Sequence, residues 1–339
     1  MYFSRKAVSS GAFLLAALSA MTLLSGCREP MTVLAPASPT AARIADLSWT
    51  LFWVAVAVFV VVEALLIYAI FRFRARGEEA AEEEPRQIYG HTKLEIVWTA
   101  VPAIVLVGVT ILMVGTMTAV AQPPPDSIQV HVVGHQWWWE VSYPYEGVTT
   151  ANEIHVPVGR PVRVTVAAAD VVHSLWVPEL GGKIDLIPGT VNETWFQADK
   201  AGVFEGHCTE FCGVQHAMMG FLVVSEPAEE YEAWLQRQKA PAVTPTKGIA
   251  KQGMEQFLNS PCIGCHAVKG TRAQGVMGPD LTHVGSRRTL AANSLPNTPE
   301  NMRGWLANPD QVKEGSKMPN LHLSPEVVEQ MATYLESLK

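Results

Sequence analysis

Two short stretches of this chain concentrate the side chains that hold redox groups. Residues 262–266 read Cys-Ile-Gly-Cys-His. Two cysteines three positions apart, followed at once by histidine, form the attachment signature of a c-type haem. The thiols fix the porphyrin as thioethers, and His266 becomes an axial ligand of the iron. Residues 208–219 read Cys-Thr-Glu-Phe-Cys-Gly-Val-Gln-His-Ala-Met-Met. Cys208, Cys212, His216 and Met219 bring thiolate, imidazole and thioether together, and soft ligands of this kind select copper. A mononuclear blue-copper site uses one cysteine, whereas two cysteines on one loop can bridge a pair of copper ions. A second imidazole must come from elsewhere. His173, in Val-Val-His-Ser-Leu-Trp, lies at the end of a predicted strand and is the best candidate. His173, Cys208, Cys212 and His216 could also form a tetrahedral zinc set, and the two cysteines could pair as a disulfide. Neither alternative accounts for Met219 or for Glu210 between the cysteines. His207 and Met218 adjoin ligands and are expected to point elsewhere.

The elements that carry these stretches begin with a membrane end. Arg5 and Lys6 precede the apolar run Gly11–Leu24, as in an export signal. Leu24-Ser25-Gly26-Cys27 resembles a bacterial lipoprotein cleavage box, so residues 1–26 read as a lipoprotein-type signal peptide and Cys27 as a lipidated N-terminus. Two apolar stretches follow, Trp49–Phe71 and Ile96–Ala121, each longer than the ~20 residues that a spanning helix needs. Arg72, Arg74, Arg76, Arg86 and Lys93 cluster between them, and no Lys or Arg follows the second until Arg160. The positive-inside rule puts that loop in the cytoplasm and everything after residue 121 on the outer face of a bacterial plasma membrane.

Beyond the hairpin the pattern changes. Short alternating runs at Ile128–Val133, Arg163–Ala167, Thr194–Ala198 and Phe221–Val224, separated by Gly and Pro, predict an antiparallel sandwich or small barrel. Residues 227–239 predict a short helix, and Ala240–Thr246, with Pro241 and Pro245, a stiff linker. Helices are expected at about 248–260, 299–308 and 325–338. The divisions are therefore 27–121, 122–226, 227–246 and 247–339. Residues 122–240 carry 6 Lys/Arg against 15 Asp/Glu, and residues 247–339 carry 10 against 8. That contrast predicts charge-guided docking of the last domain on the middle one. No basic run points to nucleic acid.

The hairpin, Gly-His-Gln-Trp-Trp-Trp (134–139), His173-Ser-Leu-Trp-Val-Pro, Lys183-Ile-Asp185-Leu-Ile-Pro-Gly and the 208–219 loop together resemble subunit II of the haem–copper cytochrome c oxidases, over about residues 45–225. The resemblance implies a cupredoxin Greek-key sandwich with a dinuclear copper centre. Cys208 and Cys212 would bridge, His173 and His216 would each bind one copper, Met219 would bind weakly, and Glu210 would bind through its carbonyl. It also implies a magnesium ion held by the Glu210 side chain and shared with subunit I, electron arrival at Trp137, and a proton entrance at Glu95. Thr190 departs from the family, which often has Arg after Pro-Gly, and this touches only local contacts to subunit I.

Residues 247–339 resemble an all-α class I cytochrome c. Met254, Met277, Met302, Met318 and Met331 are the available sulfur ligands for the iron. Met254 and Met331 fall inside predicted helices, and Met277 lies too close to His266 to cross the haem. Met318, in the loop Lys-Met-Pro, matches the class I pattern. In that family the Pro279 carbonyl would accept the His266 ring N–H. A cytochrome fused behind subunit II resembles the caa-type oxidases. The implied function is electron input to a proton-translocating terminal oxidase, with subunit I, other oxidase subunits and a cytochrome c or upstream respiratory complex as partners. The rivals are a copper subunit of a nitric or nitrous oxide reductase and a metal-delivery module.

Overall fold

The computed structural model describes residues 31–74, 87 and 89–339. The signal segment and Cys27 lie outside the described residues. Helix α1, Pro39–Phe73, starts where Ser38 caps it, its Oγ accepting the Ala41 N–H, with Pro39 at the first helical position. Helix α2 spans Thr92–Ala121. The most apolar 18-residue windows of the two, with mean hydropathies of 2.8 and 2.4, mark both helices as long and apolar enough to cross a membrane. The stretches expected from hydropathy sit inside these helices. α1 runs ten residues further toward its N-terminus because Thr40, Ala41 and Ala45 are buried there. Ser38 and Thr40 both donate to the Leu180 carbonyl, at 2.5 and 2.8 Å. At the end of α2, Trp195 Nε1 donates to Val120 O at 2.8 Å. Both membrane helices are thus fastened to the domain above them.

That domain is a sandwich of two five-stranded sheets. One holds β1 (Ile128–His135), β2 (Trp138–Tyr143), β3 (Val148–Ala151), β5 (Val162–Ala168) and β8 (Asn192–Phe196), in the order β3-β2-β1-β5-β8. The other holds β4 (Glu153–Pro157), β6 (His173–Trp176), β7 (Ile184–Leu186), β9 (Gly202–Cys208) and β10 (Gly220–Glu226), in the order β4-β10-β9-β6-β7. The pairs β1–β5 and β4–β10 are parallel, and the other pairs are antiparallel. The alternation that predicts strands is the alternation that fills the core. Val162, Val164 and Val166 of β5 point inward with Val130, Val132, Trp139 and Phe221. Helix α3, Ala228–Lys239, packs Tyr231, Trp234 and Leu235 onto the same core.

The last domain is helical: α4 (Gly248–Leu258), α5 (Cys262–Cys265), α6 (Pro299–Ala307), α7 (Pro309–Val312) and α8 (Pro325–Ser337), with a two-stranded ribbon of β11 (Thr289–Leu290) and β12 (Leu295–Pro296). α4 crosses α8 closely at Gly253, where a Cβ would come within 1.9 Å of Gln330 O. Phe257, Met302, Met331 and Tyr334 form a separate core. The linker lies along this domain. Ala242 N donates to Lys269 O (3.0 Å), Lys269 Nζ to Lys239 O (2.8 Å), and His283 Nε2 to Ala240 O (3.1 Å).

Candidate redox sites

Three pieces of chain converge at one end of the sandwich. β6 supplies His173, β9 ends in Cys208, and the loop before β10 supplies Cys212, His216 and Met219. Backbone pairing fixes their heights: Leu175 lies opposite Cys208, and the Cys208 N–H bonds to Met219 O at 3.0 Å. His173 therefore opens its strand, whereas the alternation placed it at a strand end. Both cysteines are free and buried, their sulfurs 3.7 Å apart. His173 Nδ1 lies 3.9 Å from Cys208 Sγ, and His216 Nδ1 lies 3.8 Å from Cys212 Sγ. Met219 Sδ is 3.8 Å from Cys212 Sγ, and Glu210 O is 3.2 Å from Cys208 Sγ. Each cysteine thus has its own imidazole, and a fully buried thioether and a carbonyl flank the pair. This donor set fits copper, which accepts a thioether beside thiolate and imidazole, whereas a structural zinc site is closed by thiolate and imidazole and has no use for the thioether.

Electrostatics favours a site that is neutral until metal arrives. Burial, reinforced by Cys208 beside it, pushes the Cys212 thiol up to about 12. Metal binding must therefore displace protons. Burial holds His173 below the usual histidine range, as an uncharged imidazole ready to ligate. Its orientation comes from Asp170, which motif reading missed. Asp170 Oδ1 accepts from His173 Nε2 at 2.9 Å and from Val171 N at 2.7 Å, and Oδ2 accepts from Gln136 N at 2.7 Å. With Nε2 protonated, Nδ1 faces the sulfurs. Gly134 explains part of the Gly-His-Gln-Trp motif. A Cβ there would lie 2.8 Å from His173 Cδ2.

Trp137 is half-buried, and its Nε1 donates to Cys212 O at 3.1 Å, beside Gln136 Nε2 at 2.7 Å. The Glu210 side chain is exposed. Glu95 is far from these groups, at the start of α2, where its Oε1 accepts the His91 N–H at 3.0 Å and helps to cap the helix.

In the helical domain, α5 presents Cys262 and Cys265, both free and half-buried. His266 Nδ1 donates to Pro279 O at 2.8 Å, which leaves Nε2 as the ring nitrogen for iron. Gly278 keeps the space beside that ring open, since a Cβ would lie 2.6 Å from His266 Cε1. Among the methionines, Met302 and Met331 are buried in the core, and Met277 is 74% exposed. Met318 packs against the core from the loop between α7 and α8. These residues fit a thioether-linked haem.

The two domains touch beside the copper loop. Gln215 Nε2 donates to Lys313 O (2.9 Å) and Glu314 O (3.0 Å), and Gly220 N to Ala292 O (3.0 Å). Glu153 Oε1 accepts from Arg288 N (2.6 Å) and Thr289 N (3.3 Å). Lys317 Nζ reaches Gln136 Oε1 (2.8 Å), approaches Asp170 Oδ2 (3.9 Å), and stands 5.5 Å over the Trp137 ring. The charged side chains Glu153 and Lys313 meet mostly backbone groups here, and Lys317 with Asp170 is the opposite-charge pair that the contact brings together. Burial pushes Lys313 down to about 8, with the Cys212 charge acting the other way.

Residues 30–114 match the transmembrane domain of cytochrome c oxidase subunit II, residues 145–226 its periplasmic domain, and residues 250–339 cytochrome c. Cytochrome c oxidase subunit 2 of Alkalihalophilus pseudofirmus is 40% identical over 335 residues, covering 95% of this chain and 96% of that protein. The Bacillus subtilis subunit 2 is 35% identical, with 94% of each chain covered. Among solved structures, the periplasmic domain of subunit II of cytochrome oxidase of Bradyrhizobium japonicum matches 35% of this chain and 97% of its own, at 35% identity and a TM-score of 0.34. The chain belongs to the cytochrome c oxidase subunit II family, in the form that carries a cytochrome c domain behind the copper domain. Its role is electron input to a haem–copper oxidase, and the reductase and metal-delivery readings are not favoured.

Proposed function

We propose that the copper centre is dinuclear, with Cys208 and Cys212 bridging, His173 and His216 each on one ion, Met219 as a weak ligand and Glu210 as a carbonyl ligand. The observation that carries this reading is the pair of free sulfurs 3.7 Å apart, each with its own imidazole. His266 and Met318 hold the haem iron, and Cys262 and Cys265 hold the porphyrin. When bound, copper and haem supply one-electron redox chemistry, accepting electrons from a cytochrome c or an upstream respiratory complex and passing them toward subunit I. The chain's own residues do the rest. The sandwich excludes water from the sulfurs, Asp170 and Pro279 orient the two histidines, and the interdomain bonds hold the carriers' loops together. Trp137 lies between the copper loop and Lys317 and is the residue through which the domains couple. The exposed Glu210 carboxylate offers hard oxygen ligands to a magnesium ion shared with subunit I. Glu95 is the entrance for protons drawn into subunit I, and Cys27 carries a lipid. The basic residues flanking the hairpin loop, Arg72 and Arg74 among them, set both redox domains on the outer face of the bacterial plasma membrane.

Purified protein tests the reading directly. Two coppers per chain, with an unpaired electron shared by both nuclei, are expected together with one haem that survives acid–acetone extraction. One zinc, or one copper with a single-nucleus hyperfine pattern, would refute the dinuclear assignment.

A further inference from the structure

Lys313 is the buried cation between the two domains, 3% exposed. It follows α7, on the loop that leads to Met318. Its ammonium donates to three backbone carbonyls from three separate segments: Met218 O at 2.9 Å, Ala291 O at 3.1 Å and Trp137 O at 3.3 Å. All three protons are used, and none goes to a carboxylate. Met218 adjoins the ligand Met219, and Trp137 bonds through its indole to Cys212 O. Ala291, Ala292 and Asn293 are held at φ of 53°, 57° and 60°. Left-handed backbone is unfavourable for a residue other than glycine and persists only where the surroundings over-determine it. Here it turns the Ala291 carbonyl to Lys313 and the Ala292 carbonyl to Gly220 N.

The ammonium supplies donors to three carbonyls that a methionine of similar length would leave without a partner. It also brings to the contact a positive charge that has no carboxylate partner, and burying such a charge is unfavourable on packing grounds alone. Geometry ties that charge to the copper loop: Lys313 bonds Met218 O, one residue from the ligand Met219, and Trp137 O, and the Trp137 indole itself bonds Cys212 O. A fixed cation favours the state of its neighbour that has gained an electron.

We infer that Lys313 is a positioning residue for interdomain electron transfer, pinning the Met318 loop to the copper loop while its charge biases the electron toward copper. This rests on the copper and haem assignments proposed above. The test is flash-induced electron injection into the purified oxidase complex, reading copper and haem content, the haem-to-copper rate and the final distribution of the electron between the two centres. Lys313→Met is expected to keep both cofactors, slow the transfer at least tenfold, and shift the distribution about tenfold toward haem, equivalent to about 59 mV for a one-electron couple. Lys313→Arg keeps the charge and is expected to hold the distribution within about twofold of the parent.

The distribution decides. If Lys313→Met leaves it unchanged, or if both variants shift it equally, the inference is overturned. If Lys313→Met loses a cofactor, Lys313→Arg decides alone: a parental distribution supports the inference, and a tenfold shift or cofactor loss overturns it. Absence of haem-to-copper transfer in the unaltered complex would instead defeat the electron-input assignment of the two centres.

Discussion

Replacing Asp170 by Asn removes one charge and one acceptor while keeping the shape, so its effect on copper follows from the bonds that Asp170 makes. If the amide oxygen takes the place of Oδ1, it keeps the His173 and Val171 bonds, but the amide NH2 then meets the Gln136 N–H and Lys317, donor against donor. If the amide flips, its NH2 faces His173 Nε2. That ring must then carry its proton on Nδ1, the nitrogen 3.9 Å from Cys208 Sγ. Either arrangement loses one charge-assisted hydrogen bond, worth about 1.5–3 kcal/mol. At about 1.4 kcal/mol per tenfold, copper affinity should fall roughly 10- to 100-fold, the range typical of lost outer-sphere partners. The assay is competition for copper against a chelator of known affinity, on the detergent-purified full chain, with haem absorbance confirming that the second domain is intact. An affinity within about twofold of the parent would refute the argument that Asp170 sets the His173 tautomer.

Gly134→Ala should lower copper content, because the new Cβ would lie 2.8 Å from His173 Cδ2 and 3.1 Å from Leu186 Cδ2, and overpacking of this kind costs about 1–3 kcal/mol; metal analysis after gel filtration reads it. Met318→Leu should abolish the sulfur–iron charge-transfer band of the oxidised haem and leave copper content unchanged, with visible spectroscopy as the check. His155 tests electrostatics away from the metals. Burial alone would lower its pKa, but Glu153 at 3.3 Å and Glu226 at 3.2 Å together raise it above the ordinary value. A raised folded-state pKa contributes stability that is fully present below about pH 6.5 and is lost as pH rises through the folded pKa. Denaturant unfolding of the full chain should show that decline above about pH 6.5, and His155→Gln should flatten it.

The proposed ligands are legible because their chemistry is local. Cys262, Cys265 and His266 are contiguous in effect, and Cys208 through Met219 form one loop. His173 lies 35 residues from Cys208, and soft-ligand arithmetic plus the strand pattern still found it. Its expected place at a strand end became a strand start because β6 pairs with β7 and β9 only from His173 onward. Asp170 left a weaker trace, a carboxylate three residues before a ligand histidine, recognisable once second partners of metal ligands are sought. Lys313, Gln215 and Glu153 left none. Their partners are 95, 98 and 135 residues away and are mostly backbone carbonyls or N–H groups, which carry no residue-type signature. Bulk charge gives the two domains opposite signs, but it does not show that the charged side chains of the contact, Glu153 and Lys313, meet backbone N–H and carbonyl groups.

The bonds along residues 239–242 change what the linker is for. A loose tether would let the haem domain swing away and return, and each transfer would then wait on a search whose speed depends on the thickness of the medium. Here Lys239, Ala240 and Ala242 are fastened to Lys269 and His283, and Lys239 is also paired with Glu146 of the sandwich at 2.5 Å. The carrier that elsewhere must arrive by diffusion is built in place, so the step between domains has no encounter to make. Added viscogen should slow the arrival of an external donor and leave the internal hop untouched.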